Sequence, residues 1–169
     1  LAGILGLWLF ISFEKRQLFP VLNIQLFINN RVFAFSNYAA LINYSATFAI
    51  GFLLSLYLQY IKGFNPQQAG QILVIQPLLM AVFSPITGKL SDKIDPGKVA
   101  SVGMALLSIG LFVIAFIGNN TSIYFIIPIL VVFGIGYALF SSPNTNAIMG
   151  SVEKKYYGIA SGTVGTMRL

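Results

Sequence analysis

The charged residues fall into widely separated clusters, and this spacing constrains the fold more than any other feature. The chain has ten Lys and Arg residues and four Asp and Glu residues, and none of them occurs within 32–61, 63–88 or 99–152. An apolar helix crosses a bilayer with about 20 residues. The first two runs are therefore each long enough for one span. The third is long enough for two, divided at the turn-forming residues 118–122.

Composition supports the bilayer as the solvent and excludes several classes of chemistry. Hydrophobic residues make up 57% of the chain and charged residues 8%, whereas soluble domains have about 25% charged residues. Cys and His are both absent, which excludes disulfides, Cys/His metal sites and His acid–base catalysis. We therefore expect a protein that is not an enzyme and has no cofactor or metal.

The predicted fold is an all-α integral membrane protein with about four complete spans and two partial ones. The complete spans are predicted at 36–61, 67–90, 97–117 and 123–149, and the partial ones at 1–13 and 158–169. Residues 14–35 are expected to form a loop, within which 20–33 is either an interfacial amphipathic helix or an irregular connector. Both ends lie inside apolar runs, which indicates an internal piece of a larger protein.

Short local signals mark where two of these spans begin. Asn65-Pro66 and Asp95-Pro96 each place a good N-capping residue before a proline at the first helical position. Four other prolines fall inside predicted spans, where a helix tolerates them because neighbouring helices satisfy the freed carbonyl groups.

Basic residues alternate between the loops in a way that predicts orientation. In chain order the five loops carry three, one, three, no and two Lys or Arg residues. Basic residues accumulate in cytoplasmic loops, so the first, third and fifth loops are predicted to be cytoplasmic. The net charge of +6 is explained in this way without a nucleic-acid partner. We predict a multi-pass protein of the cell (inner) membrane.

The third loop resembles the signature loop of the major facilitator superfamily, a Gly-x-Leu-x-Asp-basic core followed by Gly and further basic residues. The core is matched by Gly88, Leu90, Asp92 and Lys93, and the second half by Gly97 and Lys98. Gly97 comes two positions late, because Asp95 stands where the family has glycine. In the family the Gly lets helices approach, and the Asp latches the cytoplasmic side. The alternative is an ordinary solvated turn.

Further stretches at 14–34, 56–70, 134–143 and 158–168 are similar, in the same order, to fourteen-span drug:proton antiporters of the multidrug-efflux type. The resemblance implies a major facilitator fold, with this chain in the C-terminal six-helix bundle, and proton-coupled efflux of hydrophobic or amphipathic drugs by alternating access. The alternatives are another major facilitator that imports a nutrient or metabolite, and a non-transporting membrane protein. The expected partners are the lipid bilayer, a small-molecule substrate and protons.

The same resemblance identifies candidate cavity-lining helices, because the first and fourth helices of each half line the cavity in the family. Here these are 36–61 and 123–149, and their polar candidates are Asn43, Tyr44, Thr47, Tyr137, Ser141 and Asn144. Asn43 and Thr47 are four residues apart and so share one helix face. The alternative is that these groups form hydrogen bonds between helices.

Arg168 is a candidate intramembrane charge. About ten residues into its helix, it would lie about 15 Å deep, where an arginine is costly unless it is paired. The alternative is a side chain that reaches up to the interface. The complete spans contain no Asp or Glu, so proton-coupling carboxylates are expected in the N-terminal half, outside this sequence.

Overall fold

The computed structural model describes residues 2–14 and 23–168, and this part of the chain contains helices and no strands. The helices are α1 (Ala2–Glu14), α2 (Ile24–Asn29), α3 (Arg31–Leu56), α4 (Pro66–Leu73), α5 (Ile75–Ser91), α6 (Pro96–Ile114), α7 (Ile123–Gly150) and α8 (Tyr157–Met167). A π-helical turn, Tyr57–Ile61, extends α3, and a 3-10 turn, Lys154–Tyr156, precedes α8.

Four helical stretches are long and apolar enough to cross a membrane. They are Arg31–Ile61, Pro66–Ser91, Pro96–Ile114 and Ile123–Gly150. The predicted all-α membrane fold with four candidate spans is therefore confirmed. Positions 1, 15–22 and 169, which include most of the first half of the predicted first loop, lie outside the described residues.

The predicted helix starts at the two Asx-Pro pairs are confirmed. The Asn65 side chain accepts a hydrogen bond from the Gln68 backbone N–H at 2.9 Å, and the Gln68 side chain accepts one from the Asn65 N–H at 3.0 Å. This reciprocal capping box satisfies two backbone donors at once. The Asp95 side chain accepts from the Gly97 N–H at 2.8 Å and caps α6 in the same position relative to its proline.

The first complete span begins earlier than the predicted residue 36. The Asn30 side chain accepts a hydrogen bond from the Phe33 backbone N–H at 2.9 Å, and this cap starts α3 at Arg31. The segment predicted as either an amphipathic helix or a connector contains the six-residue helix α2, capped by Asn23. Its Leu26 and Phe27 pack against a buried cluster at the end of α7, which is formed by Phe33, Ile148, Ala160 and Val164.

The second span is broken at Val74, between α4 and α5. Pro77 has no backbone N–H, so the carbonyl of Leu73 lacks the donor that would continue the helix. The third span also differs from prediction, because α6 ends at Ile114 and short turns carry the chain to 117.

Helix α7 lies at the centre of the bundle, and α5 and α6 pack closely against it. A Cβ at Gly103 of α6 would lie 2.7 Å from the Gly136 carbonyl oxygen, and a Cβ at Gly134 would lie 2.7 Å from the Leu79 Cβ of α5. Both distances are too short for a real carbon–carbon or carbon–oxygen contact. Only glycine allows the three backbones to approach this closely.

Hydrogen bonds between loops define the two ends of the bundle. At one end Tyr57 donates to the Gly118 carbonyl at 2.8 Å, and Lys62 donates to the Asn119 carbonyl at 2.6 Å. At the opposite end Asn30 donates to the Ser151 carbonyl at 2.6 Å. The second and fourth loops thus share one end, and the described parts of the first, third and fifth share the other. This is the grouping that the alternating charge predicts.

Candidate functional site

Three of the six predicted cavity-lining residues form hydrogen bonds between α3 and α7. The Tyr44 hydroxyl lies 2.9 Å from Ser141 Oγ, and the Asn144 amide donates to the Ser36 carbonyl at 3.1 Å. Ser141 and Asn144 are buried, as is Tyr137. The polar faces of the two helices therefore meet each other, as the alternative interpretation required.

Asn43 and Thr47 share a face of α3, and the Thr47 hydroxyl donates to the Asn43 backbone carbonyl at 2.7 Å. The Asn43 side-chain amide donates to Met104 Sδ of α6 at 3.0 Å. Asn43 is 4% exposed, and its Oδ1 has no hydrogen-bond partner among the described residues; the same holds for Asn37 Oδ1. An unpaired buried acceptor costs about 1–3 kcal/mol, so each oxygen can accept a hydrogen bond from a water or a ligand.

Arg168 follows directly on α8 and reaches both α3 and α7. Its Nη2 donates to Thr145 Oγ1 at 2.9 Å, and its guanidinium carbon lies 5.5 Å from the centre of the Tyr44 ring. The Thr145 hydroxyl in turn donates to the Ser141 carbonyl at 2.8 Å. Each of these residues contacts another through its side chain, and we call the group the Arg168 cluster; its members are Tyr44, Ser141, Thr145 and Arg168.

The position of Arg168 along α8 follows from helix geometry. Helix α8 is 11 residues long, which at 1.5 Å per residue places Arg168 about 17 Å from the start of the helix. Within residues 2–14 and 23–168, the ion pair in the structure is elsewhere, between Lys155 and Glu153 at 2.9 Å on the exposed turn before α8. The hydrogen bond that the Lys155 amine donates to the Glu153 carboxylate, and then the charge of that carboxylate, raise the pKa of the amine. No carboxylate among the residues that the structure describes forms an ion pair with Arg168.

A cavity of about 260 Å³ adjoins the cluster, and its walls are Leu41, Tyr44, Ser45, Phe48, Met167 and Arg168. A second cavity of about 500 Å³ lies between α3 and α6, towards the end of the bundle that carries Lys62; Ile50, Tyr57 and Leu111 are among its walls. That larger cavity is apolar and contains none of the predicted polar residues. Tyr44 and Arg168, both predicted from the sequence, thus border the smaller of these two cavities.

The signature loop connects the end of α5 to the start of α6. A Cβ at Gly88 would lie 3.0 Å from Ser142 Oγ, so this glycine does allow α5 to approach α7. Leu90, Lys93, Gly97 and Lys98 are exposed.

Asp92 is exposed and caps the C-terminus of α5. Its carboxylate makes no hydrogen bond or ion pair with any other described residue. The carboxylate at the N-terminus of α6 belongs to Asp95 instead. The carboxylate in this loop that interacts favourably with a helix dipole is therefore that of Asp95.

Three side chains that sequence reasoning missed, Thr87, Ser91 and Asn146, join the end of α5 to α7. The Asn146 amide donates to Ser91 Oγ at 2.7 Å, and the Ser91 hydroxyl donates to the Gly88 carbonyl at 2.8 Å. One turn earlier, Thr87 donates to the Ala138 carbonyl at 2.7 Å. Thr87 and Ser91 are four residues apart, so their shared polar face was a signal in the sequence.

Comparison with known proteins decides the family. The family model described as Major Facilitator Superfamily matches residues 2–169. The chain belongs to the major facilitator superfamily. This confirms the recognition made from the signature loop, and it supports the prediction of a multi-pass membrane protein.

Relatives within the superfamily differ in their named substrates. The chain is 31% identical to the riboflavin transporter RibZ of Clostridioides difficile, over 98% of this chain and 37% of that protein. It is 30% identical to the uncharacterized transporter YebQ of Escherichia coli, over 94% and 35%. It is 26% identical to the multidrug resistance protein Stp of Mycobacterium tuberculosis, over 96% and 30%. The chain thus spans about a third of the length of these relatives.

Proposed function

We propose that this chain contributes to the substrate pathway of a secondary active transporter that exports hydrophobic or amphipathic compounds by alternating access. The observation that carries the proposal is the Arg168 cluster, where polar groups of α3, α7 and α8 meet beside a cavity of about 260 Å³. Polar and charged groups at this depth are expensive and mark substrate or ion pathways. Relatives named multidrug resistance proteins favour export.

Protons are the proposed coupling ion, and they bind elsewhere in the protein. The four candidate spans contain no Asp or Glu, and neither Arg nor Tyr releases a proton readily near neutral pH. The titrating carboxylates of a proton-coupled transporter therefore belong to helices other than these four.

Asp92 is the proposed cytoplasmic latch. It lies at the C-terminus of α5, where the helix dipole disfavours a negative charge, and it has no partner among the described residues. A cation or a helix N-terminus from the other half of the transporter would relieve this unfavourable position in one state of the cycle. Asp92 then stabilises that state and not the other, which is the requirement for a conformational switch.

A second candidate function is transport of a flavin or a similar metabolite. The relative named as a riboflavin transporter, which is 31% identical over 98% of this chain, favours it. The two candidates share the same fold and the same cluster, and they differ in the compound that moves.

Both candidates are tested with the full-length protein in inverted membrane vesicles. Rhodamine 6G, fluorescein and riboflavin are offered one at a time, and their uptake is followed with and without a pH gradient. Export predicts uptake into inverted vesicles that stops when an ionophore collapses the gradient. Movement of riboflavin alone supports the second candidate, and movement of none of the three contradicts both. Uptake that persists without the gradient contradicts proton coupling.

The latch is tested in the same vesicles with Asp92→Asn, and Asp95→Asn is the matched control. Asparagine caps a helix about as well as aspartate, so the control removes a charge from the same loop without removing the cap. We expect Asp92→Asn to lose transport at normal membrane expression and Asp95→Asn to keep it. Wild-type transport in Asp92→Asn, or equal loss in both variants, contradicts a latch at this carboxylate.

A further inference from the structure

The Arg168 guanidinium has hydrogen-bonding capacity that the described part of the chain leaves unused. Arginine carries five N–H donors, and the structure shows one of them donated, to the Thr145 hydroxyl. The guanidinium carbon lies 5.5 Å from the centre of the Tyr44 ring, which is an attractive but neutral partner. No carboxylate among the described residues pairs with it. A cation within the membrane is costly unless it is paired, so a negative group bound at this position would stabilise Arg168.

The adjacent cavity is the right size to receive part of a ligand. Its volume of about 260 Å³ falls just below the roughly 300–1,000 Å³ of pockets that hold a whole drug-sized molecule. A cavity of this size is large enough for one end of such a molecule and too small for all of it. The walls other than Arg168 are mostly aliphatic or aromatic, with Leu41 and Phe48 among them, so they suit a flat apolar ring. The fork of the guanidinium suits two oxygens of a carboxylate.

We propose that Arg168 selects the charge of the substrate, so that the transporter takes compounds with an anionic oxygen group on an aromatic frame in preference to cations. The inference deepens the proposed transport function and rests on it. A cationic compound in the same cavity meets a like charge at short range, which disfavours it. Tyr44 and Thr145 are positioning residues in this scheme, because their hydrogen bonds to α7 hold the ring and the hydroxyl against which the guanidinium rests.

The test compares two dyes that share a xanthene frame and differ in charge. Fluorescein is an anion with a free carboxylate near neutral pH, and rhodamine 6G is a cation whose carboxyl group is esterified. Binding of each dye to the purified full-length protein in lipid nanodiscs is measured by fluorescence anisotropy. The variants are Arg168→Gln and Arg168→Lys. The control is Arg31→Gln, which removes an exposed arginine from the first turn of α3.

Arg168→Gln is expected to weaken fluorescein binding about 10-fold or more, which is the usual effect of losing a hydrogen bond to a charged group. Rhodamine 6G binding is expected to be unchanged or tighter. Arg168→Lys keeps the charge but loses the planar fork, so its affinity for fluorescein should fall between those of the wild type and Arg168→Gln. The Arg31→Gln control is expected to bind both dyes as the wild type does.

Unchanged fluorescein binding in Arg168→Gln, or an equal loss for both dyes, overturns the inference. If that variant is not monodisperse, Arg168→Lys decides, and an unaltered preference between the dyes in that variant overturns it. Vesicle transport distinguishes failure of the proposed transport function from failure of the proposed charge selection. Wild-type protein that moves none of the three compounds contradicts the transport function and with it this inference. If the wild type transports and the Arg168→Gln variant keeps the same charge preference, the inference alone is contradicted.

Discussion

Substituting Gly103 by alanine should force α6 away from α7. The added Cβ would lie 2.7 Å from both the Gly136 carbonyl oxygen and the Phe140 backbone nitrogen, and 2.9 Å from the Leu139 carbonyl carbon. All three are backbone atoms of one helix and cannot rotate away as a side-chain end could. Ordinary van der Waals contact begins near 3.4 Å, so the helices must separate by roughly 0.7 Å at this crossing.

The expected cost follows from two opposing contributions. Overpacking a close-packed interior costs about 1–3 kcal/mol, and alanine gains about 0.5–1 kcal/mol over glycine within a helix. We expect Gly103→Ala to lower the free energy of unfolding by about 1–2 kcal/mol. The matched control is Gly51→Ala in α3, where no described atom outside the adjoining stretch of the same helix lies within 4 Å of the added Cβ. It should be neutral or stabilising by up to about 1 kcal/mol.

The measurement is unfolding of the purified full-length protein in mixed micelles by increasing SDS, followed by far-ultraviolet circular dichroism. Both variants are compared with the wild type at the same detergent composition. Gly103→Ala that unfolds at the same SDS fraction as Gly51→Ala refutes the argument, because the close approach of the α6 and α7 backbones would then not limit packing.

Three further predictions use the same preparations. Tyr44→Phe, Ser141→Ala and the double variant should give a coupling energy of about 0.6 kcal/mol, and at most about 1.7, as hydrogen bonds within membranes do; additive effects contradict the bond. Asn65→Ala should lower the unfolding free energy by about 1 kcal/mol through loss of the α4 cap, and an unchanged unfolding curve contradicts the capping box. Glu153→Gln should return the raised pKa of Lys155 towards its ordinary value, measured by the pH dependence of amine labelling. The stabilisation from this ion pair is fully present below the ordinary pKa of lysine, and it is lost as the pH rises through the raised pKa of Lys155. Transport near neutral pH should therefore not change, and a change there contradicts this prediction.

The sequence predicted the helix starts at Asn65 and Asp95 because capping involves atoms only two or three residues apart. It misplaced the start of α3 because Arg31 was assigned to a loop on account of its charge. An arginine in the first turn of a span is tolerated, since its long side chain reaches the interface. The Asn30 cap begins the helix, but the adjacent Asn29 is an equally good capping residue, so the sequence did not indicate which of the two would cap it.

Charge spacing and local capping determined by themselves that this chain is a helical membrane protein with two distinct ends, because the bilayer excludes charge wherever it covers a helix. The tertiary structure alone decided which polar side chains meet. Asn43 and Tyr44 are neighbours in sequence, yet one contacts Met104 of α6 and the other contacts Ser141 of α7. Adjacent residues on a helix point about 100° apart, so their partners depend on where the neighbouring helices lie. That placement is set by close backbone contacts such as those at Gly103 and Gly134, which join segments distant in the chain.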